Sequence, residues 1–134
     1  MQIAILGTGS VGRALADGLS AAGHTVRMGT RDPQTTMSRT EPDRFGTPPV
    51  SPWLAEHPGV SLVSFAEAAA SADLVVNATS GDVSLQALDA AGADSLRGKV
   101  LIDVSNPLDF SAGFPPTLFV KDTDSLGEQI QRAF

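Results

Sequence analysis

Three glycines in the pattern Gly7-x-Gly9-x-x-Gly12 follow directly on the apolar run Ile3-Ala4-Ile5-Leu6. The first glycine permits a tight turn, the second lets a pyrophosphate approach the backbone, and the third lets a helix pack closely on a strand. Helix-start N–H groups then face an anion. Between a predicted strand and a predicted helix the motif points to a bound dinucleotide; a glycine-rich turn with no ligand is the plain alternative. In enzymes that use NAD, a carboxylate at the end of the second strand holds the adenosine ribose. Here that stretch reads Met28-Gly29-Thr30-Arg31-Asp32. Gly29 or Thr30 stands where the acid is expected, so a 2′-phosphate would meet a hydroxyl and a guanidinium. The reading is NADP. Two alternatives stay open: Asp32 takes the ribose while Arg31 is solvated, or Arg31 lies flat on adenine.

Two more polar loops, Asn77-Ala78-Thr79-Ser80-Gly81 and Asp103-Val104-Ser105-Asn106-Pro107, end the fourth and fifth predicted strands. In an open doubly wound sheet, ligands lie beyond such strand ends. Asn77, Thr79 and Ser80 can hydrogen-bond ribose hydroxyls, and Asn106 can bind a carboxamide. Capping of the loops by small polar residues accounts for any one of them equally well. No acid or base is nominated: His57 sits in a proline-rich loop and Asp103 at a strand end, where structural roles are expected. With no cysteine and only two histidines, thiolate chemistry and a histidine-built metal site are excluded.

The elements that must position these residues alternate in type. Residues 2–6 read as a buried parallel strand, followed by a helix whose inward face is Val11, Ala14, Leu15, Leu19 and Ala22, stopped at Gly23. A second strand spans 25–28. Residues 31–57 read as a surface excursion, five of the nine prolines lying between residues 42 and 58, with a short helix at 52–56 capped by Ser51. Strand 60–63, a helix 65–70 capped by Ser64 with Glu67, strand 74–77, a helix 82–91 with Val83, Leu85 and Leu88 inward, and strand 99–103 follow. After a loop rich in Pro and Phe, the box Ser125-x-x-Glu128 opens a helix with Leu126, Ile130 and Ala133 on one face. The expectation is one α/β domain over 1–134, a doubly wound, mostly parallel three-layer sheet of the Rossmann type. The alternation asks for one more strand past Phe134.

The chain has 134 residues and a formal charge of −6, which repels a nucleic-acid backbone, and no apolar run long enough for a membrane span. The start lacks the basic stretch and length of an export signal, so a cytoplasmic protein is expected.

On these segments the chain resembles the NADPH-dependent coenzyme F-420 reductases. The carrying residues are Ile3-Ala4-Ile5-Leu6-Gly7-Thr8-Gly9-Ser10-Val11-Gly12, Gly29-Thr30-Arg31-Asp32-Pro33, and Thr123-Asp124-Ser125-Leu126-Gly127-Glu128. Most particular are Asp103-Val104-Ser105-Asn106-Pro107-Leu108-Asp109-Phe110 and Phe114-Pro115-Pro116. The resemblance implies hydride exchange between NADP(H) and a deazaflavin, coenzyme F-420. It places Thr30 and Arg31 on the 2′-phosphate, Thr8, Ser10 and Val11 along the pyrophosphate, and Thr79 with Asn106 beside the nicotinamide ribose. Such relatives continue beyond the helix that ends here, into parts that help build the deazaflavin pocket and a homodimer. A non-catalytic NADP-binding module or redox sensor is the second expectation. Carbonyl reduction ranks last, because the chain has no tyrosine and its lysines, Lys99 and Lys121, lie away from the ring.

Overall fold

The computed structural model describes residues 1–134. Five parallel strands, β1 (Gln2–Leu6), β2 (Thr25–Thr30), β3 (Val60–Ser64), β4 (Leu74–Asn77) and β5 (Val100–Asp103), form one sheet in the order β3-β2-β1-β4-β5. The chain starts at the centre and winds outward both ways. Strand period then sorts the core into two layers. Ile3 and Ile5 face one side with Val26, Met28 and Val76; Ala4 and Leu6 face the other with Val75. Burial on both faces explains why β1 is apolar almost throughout.

On the first face lies α1 (Ser10–Ala21), with Trp53 and Leu54 of α3 (Val50–Glu56) packed beside it; α2 (Pro33–Met37) precedes them. The opposite face carries α4 (Phe65–Ala70), α5 (Ser84–Ala91), α6 (Ala93–Leu96) and α7 (Leu126–Ala133). Gly29 lets α4 come close to β2: a Cβ there would stand 2.9 Å from Leu6 and 3.2 Å from both Ala68 and Phe65. No helix is long and apolar enough to cross a membrane.

The doubly wound α/β architecture is as expected, and several details differ. The buried face of α1 is Gly12, Leu15, Ala16 and Leu19, whereas Val11, Ala14 and Ala22 are exposed. Alanine is nearly indifferent to burial, so its periodicity misplaced the stripe. A 3-10 turn at Gly81–Val83 precedes α5 and rotates its start, which turns Ser84, Ala87, Leu88 and Ala91 inward and leaves Leu85 at the surface. Strand β2 runs two residues further than expected, through Thr30. The excursion at 31–57 holds two helices rather than one. Asp32 caps α2, and α3 starts at the buried Val50 with Pro49 before it, so Ser51 is not its cap. The Pro- and Phe-rich loop pairs as a short antiparallel ribbon, β6 (Leu108–Asp109) with β7 (Thr117–Leu118). In α7, Leu126 and Ile130 are buried but Ala133 is exposed.

Local capping matches the expectation best at α4. Ser64 Oγ accepts from the Glu67 amide at 3.3 Å, and Glu67 Oε2 accepts from the Ser64 hydroxyl at 2.6 Å and the Ser64 amide at 2.9 Å. These bonds, the hydroxyl's foremost, hold the Glu67 carboxyl below its ordinary range. A depressed carboxylate stabilises the fold above its unfolded titration range, and that contribution vanishes as pH falls through the folded value. Thermal melts between about pH 5 and pH 2 should therefore lose stability on acidification, and Glu67→Gln should flatten the curve; an unchanged acid limb would contradict the pairing.

Candidate functional site

The glycine loop is built by close backbone contacts. Gly7 has φ +115, and a Cβ there would fall 2.6 Å from the Ala78 carbonyl oxygen; at Gly12 it would fall 2.5 Å from the Gly7 carbonyl oxygen. Both are collisions with backbone, which cannot swing aside. At Gly9 a Cβ would meet nothing within 4 Å, so the second glycine faces open space while the other two are packed. Gly9 is also the N-cap of α1, with no side chain capping the helix and no acidic residue in its first turn. The first N–H groups of a helix have no intrahelical acceptor. Here they open on the crevice beyond β1 and β4.

Thr8 and Gly9 are half-buried and Ser10 and Val11 exposed along this loop. Arg13, one residue past the motif and not anticipated from it, clamps the loop from behind. Its guanidinium donates to the carbonyls of Thr8 at 2.9 Å and Pro48 at 2.6 Å, tying the glycine turn to the excursion. Burial draws its pKa below the ordinary value, with Asp43 opposing that shift.

At the end of β2 the candidates separate. Thr30 is buried, and its hydroxyl lies 2.8 Å from that of the buried Thr36. Its side chain is committed to holding α2 on the sheet. Arg31 is exposed. Asp32 is directed elsewhere: its carboxylate accepts from the Thr35 amide at 3.0 Å and the Thr35 hydroxyl at 2.9 Å, which holds its pKa below the ordinary value. A capping carboxylate is poorly placed to take a ribose.

The loop after β4 brings a correction. Asn77 is fully buried, and its amide is saturated within the fold. Nδ2 donates to Ser84 Oγ at 3.0 Å and Asp103 Oδ1 at 2.8 Å; Oδ1 accepts from the Thr79 hydroxyl at 2.7 Å and the Thr79 amide at 3.3 Å. It is a strut joining β4, β5 and α5, with no capacity left for a ligand. Ser84, which sequence reasoning passed over, completes the network by donating to the Ser80 carbonyl at 3.2 Å. Asp103 also accepts from the Ser105 hydroxyl at 2.7 Å, so it too is structural. Thr79 and Ser80 remain at the rim, half-exposed. Asn106 has an exposed side chain, and its carbonyl packs against Gly81, where a side chain would not fit.

His57 is structural as expected: its ring stacks on Trp53 at 3.9 Å, Nδ1 lies 2.7 Å from the Trp53 carbonyl and Nε2 3.5 Å from Asp17. No group of three or more His, Cys, Asp or Glu side chains is placed to hold a metal. The side chains around the crevice offer hydrogen bonds and exposed cations, Arg31 at the end of β2, Arg39 beside Thr8 and Thr36, and Arg44 at Ser80, a binding chemistry.

Comparisons agree with this geometry. The family described as NADP oxidoreductase, coenzyme F-420-dependent, matches residues 2–107. A protein from Arthrobacter sp. FB24 with the provisional description F-420-dependent NADP-reductase superposes with a TM-score of 0.94 at 59% identity, covering 100% of this chain. The chain spans 58% of that protein's length. Pyrroline carboxylate reductase from Plasmodium falciparum, solved with NADP bound, gives a TM-score of 0.55 at 17% identity over 87% of this chain and 39% of that one. That likeness shows the fold alone. No curated protein matches.

Removing the strut tests its role. Asn77→Ala leaves the buried Ser84 short of a partner and takes one bond each from the half-exposed Thr79 and the exposed Asp103, and should cost about 1–3 kcal/mol in urea unfolding. Stability within a few tenths of wild type would return Asn77 to the list of ligand contacts.

Proposed function

The chain belongs to the coenzyme F-420-dependent NADP oxidoreductase family, and on that premise we propose that it binds NADP(H) and passes a hydride between NADPH and a deazaflavin, coenzyme F-420, or a similar acceptor. The observation that carries the reading is the uncapped start of α1, held open by Gly7 and Gly12 with free space at Gly9. A diphosphate bridge fits a site with unpaired amides, no acidic residue in the first turn of the helix and no side chain in the way at Gly9. Thr8, Ser10 and Val11 line its path. Arg31 is the group that distinguishes the 2′-phosphate, and the withdrawal of Asp32 into its helix cap supports NADP over NAD. Thr79, Ser80 and Asn106 stand at the strand ends where the nicotinamide ribose would lie.

NADPH, when bound, supplies a hydride from its nicotinamide ring and becomes NADP+, while the acceptor takes the hydride on a ring carbon and a proton from solvent. The protein's own share is to bind, orient and exclude water, since transfer between two stacked rings needs position more than a proton donor. That suits a crevice whose nearby titratable groups, Asp103 and Asp82, are both engaged in hydrogen bonds. The same fact favours, as a second reading, a module that binds NADPH without turnover. Following nicotinamide absorbance with NADPH and oxidised coenzyme F-420 separates the two.

The nucleotide choice is tested by titrating NADPH and NADH against wild type and Arg31→Ala. NADPH binding should weaken by ~1–3 kcal/mol, as for a charge-assisted contact, with NADH nearly unchanged. Equal losses would place Arg31 on adenine, and no binding of either coenzyme would end the proposal.

A further inference from the structure

The excursion between α2 and α3 leaves the sheet on one side of the crevice and makes contact on the other. Its root is α2, held to the end of β2 by the buried pair Thr30 and Thr36. Its return limb is tied to the glycine turn, because Arg13 donates both to the Thr8 carbonyl and to the Pro48 carbonyl, and it ends at the buried Val50 of α3. Between these anchors, residues 38–47 form no helix or strand and are mostly exposed. Their tip reaches the turn after β4, where Arg44 Nη2 donates to both oxygens of Asp82 at 2.7 and 2.8 Å and to Ser80 Oγ at 3.0 Å. The segment therefore runs from the end of β2, past the glycine turn that follows β1, to the end of β4, and these three strands are neighbours in the sheet.

The tip is stiff and its attachment is weak. Asp43 Oδ1 accepts from the amides of Phe45 at 2.8 Å and Thr47 at 2.9 Å, and the Asp43 amide donates to the Thr47 carbonyl at 2.9 Å, which makes 43–47 one closed turn. The Arg44 guanidinium lies 4.7 Å from the centroid of the Phe45 ring, and Phe45 meets Phe110 edge to face at 5.8 Å, closing an aromatic cleft against the β6–β7 ribbon. The ion pair itself is open to water, its side chains 58% and 39% exposed for Arg44 and Asp82. An exposed pair contributes little stability and is screened by salt. Such a contact holds a position and releases it readily.

We propose that residues 38–47 are a strap over the dinucleotide crevice, latched by Arg44 on Asp82 and Ser80, and that NADP(H) enters and leaves when the latch opens. The inference rests on the dinucleotide reading. On that reading the 2′-phosphate lies at Arg31, the diphosphate on the α1 amides and the nicotinamide ribose beside Ser80, so the ligand connects the same two ends of the crevice as the strap. A dinucleotide seated there lies between the glycine turn and the strap, and its full length is freed only when the tip lifts. The strap swings from its two held ends, Ser38 after α2 and Pro48 on Arg13. Because the latch joins protein to protein and not protein to ligand, it slows exchange in both directions and changes affinity little.

The test is stopped-flow fluorescence of NADPH with the intact chain, by direct mixing for association and by displacement with excess NADP+ for dissociation. Arg44→Ala and Asp82→Ala should each speed both rates by about fivefold, the upper end for an exposed ion pair, with Kd within about twofold of wild type. The double variant should be no faster than either single one, since each removes the same contact. Should an alanine variant lose its circular dichroism spectrum, Arg44→Gln and Asp82→Asn carry the same prediction. Direct contact of Arg44 with the nucleotide gives a different pattern: Arg44→Ala would raise the dissociation rate alone and weaken Kd, while Asp82→Ala, by freeing the guanidinium, would tighten it. That pattern overturns the inference and leaves the dinucleotide reading standing, as do rates that neither substitution changes. Failure of NADPH to bind wild type ends both.

Discussion

The approach of one carbonyl to one missing side chain governs the molecule's chemistry. Because Gly12 has no Cβ, α1 can start against the Gly7 carbonyl, and because Gly7 has none, that turn can lie against Ala78 after β4. A methyl group at either place would collide with backbone. The helix axis is thereby aimed at the gap between the two central strands, and its unpaired amides arrive at the point where strand order reverses. Helices α2, α4 and α7 are closed by their own side chains, Asp32, Ser64 and Ser125. Helix α1 has no such cap, as α3, α5 and α6 have none, and its glycine-built start is the one that opens on the crevice, where a diphosphate is the fitting acceptor.

Around that opening, polar side chains divide into those that hold the walls and those that face outward. Asn77, Ser84, Thr79 and Asp103 form one network across β4, β5 and α5, with no buried side-chain polar atom left unpartnered. Such a network is valuable when complete, since one missing partner leaves a desolvated group behind. Rigid walls suit the proposed hydride transfer, which depends on the distance and orientation of two rings. The excursion serves the same end from the other side, clamped by Arg13 at its base and by Arg44 at its tip.

How much of this was legible in the residues depends on range. Periods of two and near four showed the strands and most helices, because each residue's burial there is set by its neighbours. The Ser64–Glu67 box and the glycine spacing are contacts within a few residues, and both were readable. The inward face of α1 and the start of α5 were misread where alanine carries little signal or a 3-10 turn shifts the phase. Asn77, read as a ribose contact, is a different case, because its side chain is spent within the fold. An amide that binds a ribose and one that braces a fold look identical until its partners, seven and twenty-six residues away, are known.

The chain's order of residue types by itself determined a doubly wound α/β domain, a glycine turn suited to a diphosphate, and a second strand that ends without an acid. These follow from local sterics and from periodic burial. Only the tertiary structure decided that Thr30 is bonded inward, that Asp32 is a cap, that Asn77 is a strut, and that Arg44 reaches Asp82 across thirty-eight residues to close an aromatic cleft. Those are pairings between distant segments, and a hydrogen bond's partner is chosen by where folding brings two groups together.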